Sequence, residues 1–135
     1  MTPTVVLDAS AALLLLIDPG AAGEHVAARL DGASVVAPDL LPYEVGNVLR
    51  RHRNAGRLSE TEARLALDGF HALSIELWSH ALLADRVWSL GANLSAYDAA
   101  YVALAERLGA VLLTADARIA GAPGVTCAIE VVDVS

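Results

Sequence analysis

Short apolar runs and longer stretches of helical period alternate along the chain. Residues 4–7, Thr-Val-Val-Leu, form an unbroken apolar run, as expected of a strand covered on both faces. Asp8-Ala9-Ser10 opens a helix that should end near residues 18–20, where Asp-Pro-Gly interrupts it. A second helix is predicted over 21–30 and a second strand over 34–37. The next helix begins near Asp39 or Leu40, carries Pro42 in its first turn, and stops around residues 55–56. Ser59-Glu60-Thr61-Glu62 starts another, with acids at the positive end of the helix dipole, leading to about residue 73. Residues 74–77 are a weaker strand candidate. Helices follow at 80–90 and 96–108, with Gly109 as the C-terminal cap of the latter. Residues 111–114 are a third clear strand, and a terminal strand is expected within 125–132. This alternation implies an α/β fold, a three-layer α/β/α sandwich around a mainly parallel sheet. A length of 135 residues suits one domain over the whole chain.

Composition narrows the chemistry. The hydrophobic fraction of 56% supplies a core that needs no covalent staple. The single cysteine, Cys127, excludes an internal disulfide framework and a cysteine-rich zinc site, and points to a reducing, cytoplasmic setting. The N-terminal residues lack the basic region of a signal peptide, and the longest apolar run, 9–17, is too short to span a membrane. Nine basic residues, all arginine, face 16 acids for a net charge of −7. Without lysine there is no Schiff-base chemistry and no Walker-type phosphate loop. The acidic balance argues against a general nucleic-acid binder, which would neutralise phosphates with a basic surface.

Four acids stand out by position. Asp8 directly follows the first buried strand, and Asp116 lies two residues after Thr114 at the end of the third clear strand. In open parallel sheets such strand ends line the ligand crevice. Asp98 lies in the first turn of a helix, three residues after Ser95. Each of these three also suits a helix cap. Glu44 is different: its neighbours at helical spacing are Leu40, Leu41 and Val48, so it lies on the stripe that should face the core. A carboxylate placed there needs a partner, and Arg51 is the one cation within reach along the helix. Four converging carboxylates without His or Cys suit a hard ion such as Mg²⁺ or Mn²⁺.

Four segments carry a family resemblance: Val5-Val6-Leu7-Asp8-Ala9-Ser10; Pro42 to Leu49 with Glu44 and Asn47; Leu94 to Ala105 with Tyr97-Asp98; and Leu113-Thr114-Ala115-Asp116. Together they resemble the PIN-domain ribonucleases, and within them the VapC-type toxins of bacterial toxin–antitoxin pairs. The resemblance implies Mg²⁺ or Mn²⁺ held by Asp8, Glu44, Asp98 and Asp116, and endonucleolytic cleavage of a structured RNA, often tRNA or rRNA, by metal-activated water. It places Ser10, Asn47 and Thr114 behind the acids, orienting carboxylates and water. It further implies a VapB-type antitoxin that occludes the site, and a homodimer.

Arg50, Arg51, Arg53 and Arg57, with His52, form the one basic cluster. Arginines suit a helix C-terminus through the dipole alone. As a functional group, Arg50, Arg51 and Arg53 would clamp RNA phosphates at the rim of the site, with Arg86 a further rim candidate. Trp78, Trp88 and Phe70 are expected to pack in a core or an interface, and Tyr97 and Tyr101 to pack beside Asp98. The histidines show no metal-ligand spacing. A receiver-like domain would need a lysine, a haloacid-dehalogenase-like phosphatase an Asp at position 10, and a dinucleotide site a glycine-rich turn after the first strand. The remaining alternative is a PIN-like scaffold that binds RNA or protein without cutting.

Overall fold

The computed structural model describes residues 2–134. Its strands are β1 (Thr4–Leu7), β2 (Ser34–Pro38), β3 (Ile75–Trp78), β4 (Val111–Thr114) and β5 (Ile129–Val131). The helices are α1 (Ala9–Ile17), α2 (Ala21–Leu30), α3 (Leu41–Asn54), α4 (Glu60–His71), α5 (Ala84–Ser89), α6 (Ala96–Leu108) and α7 (Ala117–Ala120). The helix expected over 80–90 is broken into a 3₁₀ turn, His80–Leu82, and the short α5. The terminal strand is confined to three residues of the stretch expected to hold it.

The sheet order is β3-β2-β1-β4-β5 and every pairing is parallel. From β1 the chain steps outward to β2 and β3, then returns past β1 to β4 and steps outward again to β5. Right-handed crossovers therefore put α1–α4 on one face and α5–α6 on the other, which gives the three-layer α/β/α sandwich. The reversal of strand order falls between β1 and β4. A crevice opens at the carboxyl ends of strands at such a point, and these ends carry Asp8 and the Thr114–Asp116 turn.

Burial follows from this arrangement. Val5, Val6, Leu7, Leu112 and Leu113 are fully buried under helices from both faces. α6 lies across the middle of the sheet, and all its residues from Ala99 to Ala105 are buried. Gly109 ends it in the left-handed region, at φ 60°, a conformation a side chain would disfavour. Among the described residues no single helix is long and apolar enough to cross a membrane. The pair α1 and α2 reaches that length only jointly, and the two meet at 113°.

Candidate metal centre at the strand switch point

Asp8 is built into the crevice floor. Its φ and ψ are extended and its Oδ1 accepts the Ala11 N–H at 2.9 Å, so it caps α1. The cap does not exhaust the carboxylate. Ser10 Oγ donates to Oδ1 at 2.7 Å, and Thr114 Oγ1 donates to Oδ2 at 2.5 Å. Each hydroxyl is fixed in turn from β4's exit turn: Ala115 N–H donates to Ser10 Oγ at 2.9 Å and Asp116 N–H to Thr114 Oγ1 at 3.0 Å. The turn after β4 thus orients both hydroxyls, and the hydroxyls orient Asp8. Ser10 and Thr114 each donate to one oxygen of the Asp8 carboxylate.

Asp8 is only 6% exposed and its neighbours are hydroxyls and an amide, with no cation. Burial pushes its pKa up; the bonds from Thr114, Ala11 and Ser10 oppose this, and the charge of Asp98 adds to the rise. Glu44 behaves alike. Burial raises its pKa first, the Tyr101 hydroxyl bond opposes, and the charges of Asp8 and Asp98 raise it further. Asp8, Glu44 and Asp98 are therefore one electrostatic unit.

The partner of Glu44 is Tyr101, whose hydroxyl donates to Oε1 at 2.6 Å, rather than Arg51. Tyr101 packs as expected, at 2% exposure, yet its hydroxyl reaches the cleft. Its pKa is driven far upward by burial and by Glu44, so it remains a donor. The sequence held the signal: Tyr101 lies three residues after Asp98 and shares its helix face.

Asp98 and Asp116 sit differently. Ser95 Oγ accepts the Asp98 N–H at 3.1 Å, but the Asp98 carboxylate accepts no hydrogen bond among the described residues. Compare Ser59 and Glu62, where Glu62 returns its carboxylate to the Ser59 N–H at 2.8 Å and completes a capping box. The cap reading thus accounts for Ser95 and leaves the Asp98 carboxylate unclaimed. Asp116 does cap α7, and its carboxylate is bound by Arg118 through Nε–Oδ1 at 3.0 Å and Nη2–Oδ2 at 2.7 Å. This pair lowers the Asp116 pKa. Arg118, which the sequence reading passed over, is also raised in pKa by the charge of Asp98.

The structure thus couples Asp8, Glu44 and Asp98, and turns Asp116 toward Arg118. As placed, no three His, Cys, Asp or Glu side chains among the described residues stand close enough to hold one ion. The donor set itself is all oxygen, partly buried and short of positive charge, which is the chemistry a hard divalent cation answers.

The cleft beside Glu44 has a volume of ≈ 380 Å³ and is lined by Asn47, Arg51, Tyr43 and Tyr97 among others. Arg51 and Asn47 therefore share this cleft with Glu44. Arg50 and Arg53 turn toward α4, and Arg53 Nη1 lies 3.5 Å from Glu60 Oε2. Arg86 does not reach the rim. Its guanidinium is held by Glu106, at 2.6 and 3.1 Å, and by the Gly124 carbonyl at 2.9 Å, near the far end of α6. Trp78 is half-buried and Phe70 buried, but Trp88 is 88% exposed and lies outside the core.

Residues 5–125 match the family model of the PIN domain. Ribonuclease VapC9 of Mycobacterium tuberculosis is 40% identical over 128 residues, which cover 95% of this chain and 98% of the relative. The chain is a member of the PIN-domain family, of the VapC type. Two solved structures share the fold at lower identity. VapC20 of M. tuberculosis, described as a sarcin–ricin-loop-cleaving toxin, superposes with a TM-score of 0.67 at 16% identity, covering 90% of this chain and 96% of that one. VapBC2 from Rickettsia felis, bound to a DNA fragment from its promoter, has a TM-score of 0.66 at 12% identity, covering 96% and 99%. In this PIN-domain chain Asp8 and the Thr114–Asp116 turn lie at the strand ends of the switch point, while Glu44 and Asp98 come from the first turns of α3 and α6.

Proposed function

We propose that this PIN-domain chain is a Mg²⁺- or Mn²⁺-dependent endoribonuclease that cleaves a structured RNA, tRNA or rRNA, as the toxin of a toxin–antitoxin pair. The observation that carries the reading is the coupled set of Asp8, Glu44 and Asp98, in which Asp8 and Glu44 accept from hydroxyls and, among the described residues, form no ion pair. The cap of α1 accounts for one oxygen of Asp8 but not for the mutual repulsion of the three acids, which a metal ion would resolve.

Asp8, Glu44, Asp98 and Asp116 would hold the ion, Asp116 on release from Arg118. Bound there, a divalent ion supplies Lewis-acid charge at a phosphate and lowers the pKa of water. Ser10 and Thr114 fix the two oxygens of Asp8, and Tyr101 fixes one oxygen of Glu44, so the ligands keep their orientation through the reaction. Asn47, exposed on the cleft wall one turn beyond Glu44, is placed to position water or RNA. Arg51, on the same wall, would meet a phosphate.

The named ribonuclease relative supports the activity, and the Rickettsia VapBC2 structure supports a VapB-type antitoxin as partner. Exposed Leu82 and Trp88 offer the apolar surface on which a second copy of the chain would dimerise. Purified, antitoxin-free protein should cut a small set of sites in total RNA with Mg²⁺ or Mn²⁺ and stop with chelator. Intact RNA in both metals would instead favour a scaffold that binds without cutting.

A further inference from the structure

The arginines of α3 divide between two faces, and the division marks a path. Leu40, Glu44, Val48 and Arg51 follow one helical stripe, which walls the cleft that holds Glu44. Tyr43, Gly46, Arg50 and Arg53 follow the next, which walls a separate groove of ≈ 360 Å³ between α3 and α4. Tyr43 and Asn47 line both, so the groove continues directly from the cleft. From Glu44 to Arg53 the helix advances about 14 Å.

We propose that this groove carries a single RNA strand away from the acidic cleft, with Tyr43 as a stacking platform and Arg50, Arg53 and Arg64 as phosphate contacts. The inference rests on the ribonuclease reading above and extends it. Three observations support it independently. The groove lining holds three arginines against one acid, Glu60, in a chain of net charge −7. The Arg50 side chain makes no hydrogen bond or ion pair among the described residues, and Arg64 pairs only with exposed Asp68, at 3.2 Å. Tyr43 is 77% exposed at the junction of groove and cleft, where an aromatic ring has no structural use. Stacking on such a ring is open to any base.

Gly46 adds a fourth observation. It sits in the interior of α3, where glycine weakens a helix relative to alanine. Packing does not demand it, because a Cβ built there would meet nothing within 4 Å. The space over its backbone opens into the groove. A glycine there leaves the groove floor open to an occupant, and the arginines and tyrosine around it suit a polyanion with flat bases.

The test uses the full chain in an Asp8→Asn background, which should bind RNA without cutting it, with fluorescein-labelled decauridylate as probe. Tyr43→Ala should weaken binding by about five-fold or more, while Tyr43→Phe should bind as the parent does. Arg50→Ala and Arg64→Ala should each lower the slope of log K against log salt by about 0.7. Gly46→Ala should raise the melting temperature yet weaken binding, a combination that a merely structural glycine would not give. Parental affinity in Tyr43→Ala and Gly46→Ala overturns the path, even where the native chain still cuts total RNA. Variants that keep decauridylate but lose a co-expressed VapB-type partner assign the groove to the antitoxin and also overturn it. A native chain that neither cuts total RNA nor binds the probe removes both this inference and the reading beneath it.

Discussion

Helix α6 carries a carboxylate cluster near each end, and the two are built on opposite principles. At its C-terminal end Glu106 accepts from Arg86 Nε at 2.6 Å and Nη2 at 3.1 Å, and from Thr126 N–H at 3.0 Å and Oγ1 at 2.7 Å. Arg86 before all else lowers its pKa, to about 2. At the N-terminal end Asp98 and Tyr101 face Asp8 and Glu44, and there the pKa values of Asp8 and Glu44 rise. The buried carboxylate oxygens in both clusters have hydrogen-bond partners, for no buried polar side-chain atom among the described residues lacks one. The difference is charge. Glu106 has its cation within the chain and pins the approach to β5, whereas Asp8 and Glu44 are held by hydroxyls and one backbone amide, with no ion pair among the described residues. A carboxylate with donors but no counter-ion is the one to suspect of binding something from outside.

Exchanging the two losses gives the largest expected effect. Asp8→Asn should abolish RNA cleavage by about three powers of ten or more, since it removes a ligand to a charge worth several kcal/mol in the transition state. The same variant should lose no melting temperature without metal, because it removes a buried, uncompensated charge. Glu106→Gln should do the reverse, lowering stability by about 2 kcal/mol through its charge-assisted bonds and leaving metal-dependent cleavage within a few-fold. Cleavage assays and thermal melts on both variants check this. Equal activity losses in the two would erase the distinction between the ends of α6.

How much of this contrast is legible in sequence differs from residue to residue. Asp8 and the Thr114–Asp116 turn follow apolar runs, and the strand-end rule brought them to one crevice. Glu44 betrayed itself as an acid on an apolar stripe. The order β3-β2-β1-β4-β5, which makes that crevice a switch point, is set by long-range pairing that no local pattern records. Partner choice was harder still. Arg86 reads as a free cation near Asp98 along the chain, yet α6 carries its partner Glu106 about 12 Å from Asp98. Tyr101 was visible as a packed ring, but the direction of its hydroxyl depends on where α3 crosses. Arg118 went unread because an arginine two residues beyond an acid looks like surface until the turn folds it back.

Tyr101 sharpens the comparison at intermediate size. In the Asp8 unit it supplies the donor that an arginine supplies to Glu106. Tyr101→Phe keeps the packing of the ring and removes the bond to Glu44 Oε1. The expected loss is about 10- to 100-fold in metal affinity or activity, the range for groups that orient ligands. Calorimetric titration with Mn²⁺ separates affinity from turnover. An unchanged titration would mean that Glu44 needs no orienting, and that its cluster differs from Glu106 in charge alone.

The smallest effect is the most diagnostic, because the two ends of α6 should respond to pH with opposite signs. Glu106 has a folded pKa of about 2 against an ordinary 4.5. Between those values the unfolded chain binds more protons than the folded one, so this stabilisation is complete above about 4.5 and is lost as pH falls toward 2. Asp8 and Glu44 are displaced upward from 3.8 and 4.5. Between their ordinary and raised values the folded state binds more protons, so their ionisation destabilises, fully above the raised values and not at all below the ordinary ones. Metal-free protein should therefore melt higher as pH drops from above the raised values toward the ordinary carboxylate range, then lower again as pH continues to fall. Asp8→Asn should flatten the first limb and Glu106→Gln the second. Added Mg²⁺ or Mn²⁺ should flatten the first limb alone, since the ion supplies to the Asp8 unit the charge that Arg86 already gives Glu106. Melts that show the first limb unchanged by metal would leave the two ends of α6 alike, and the carboxylates at the switch point without a reason to be there.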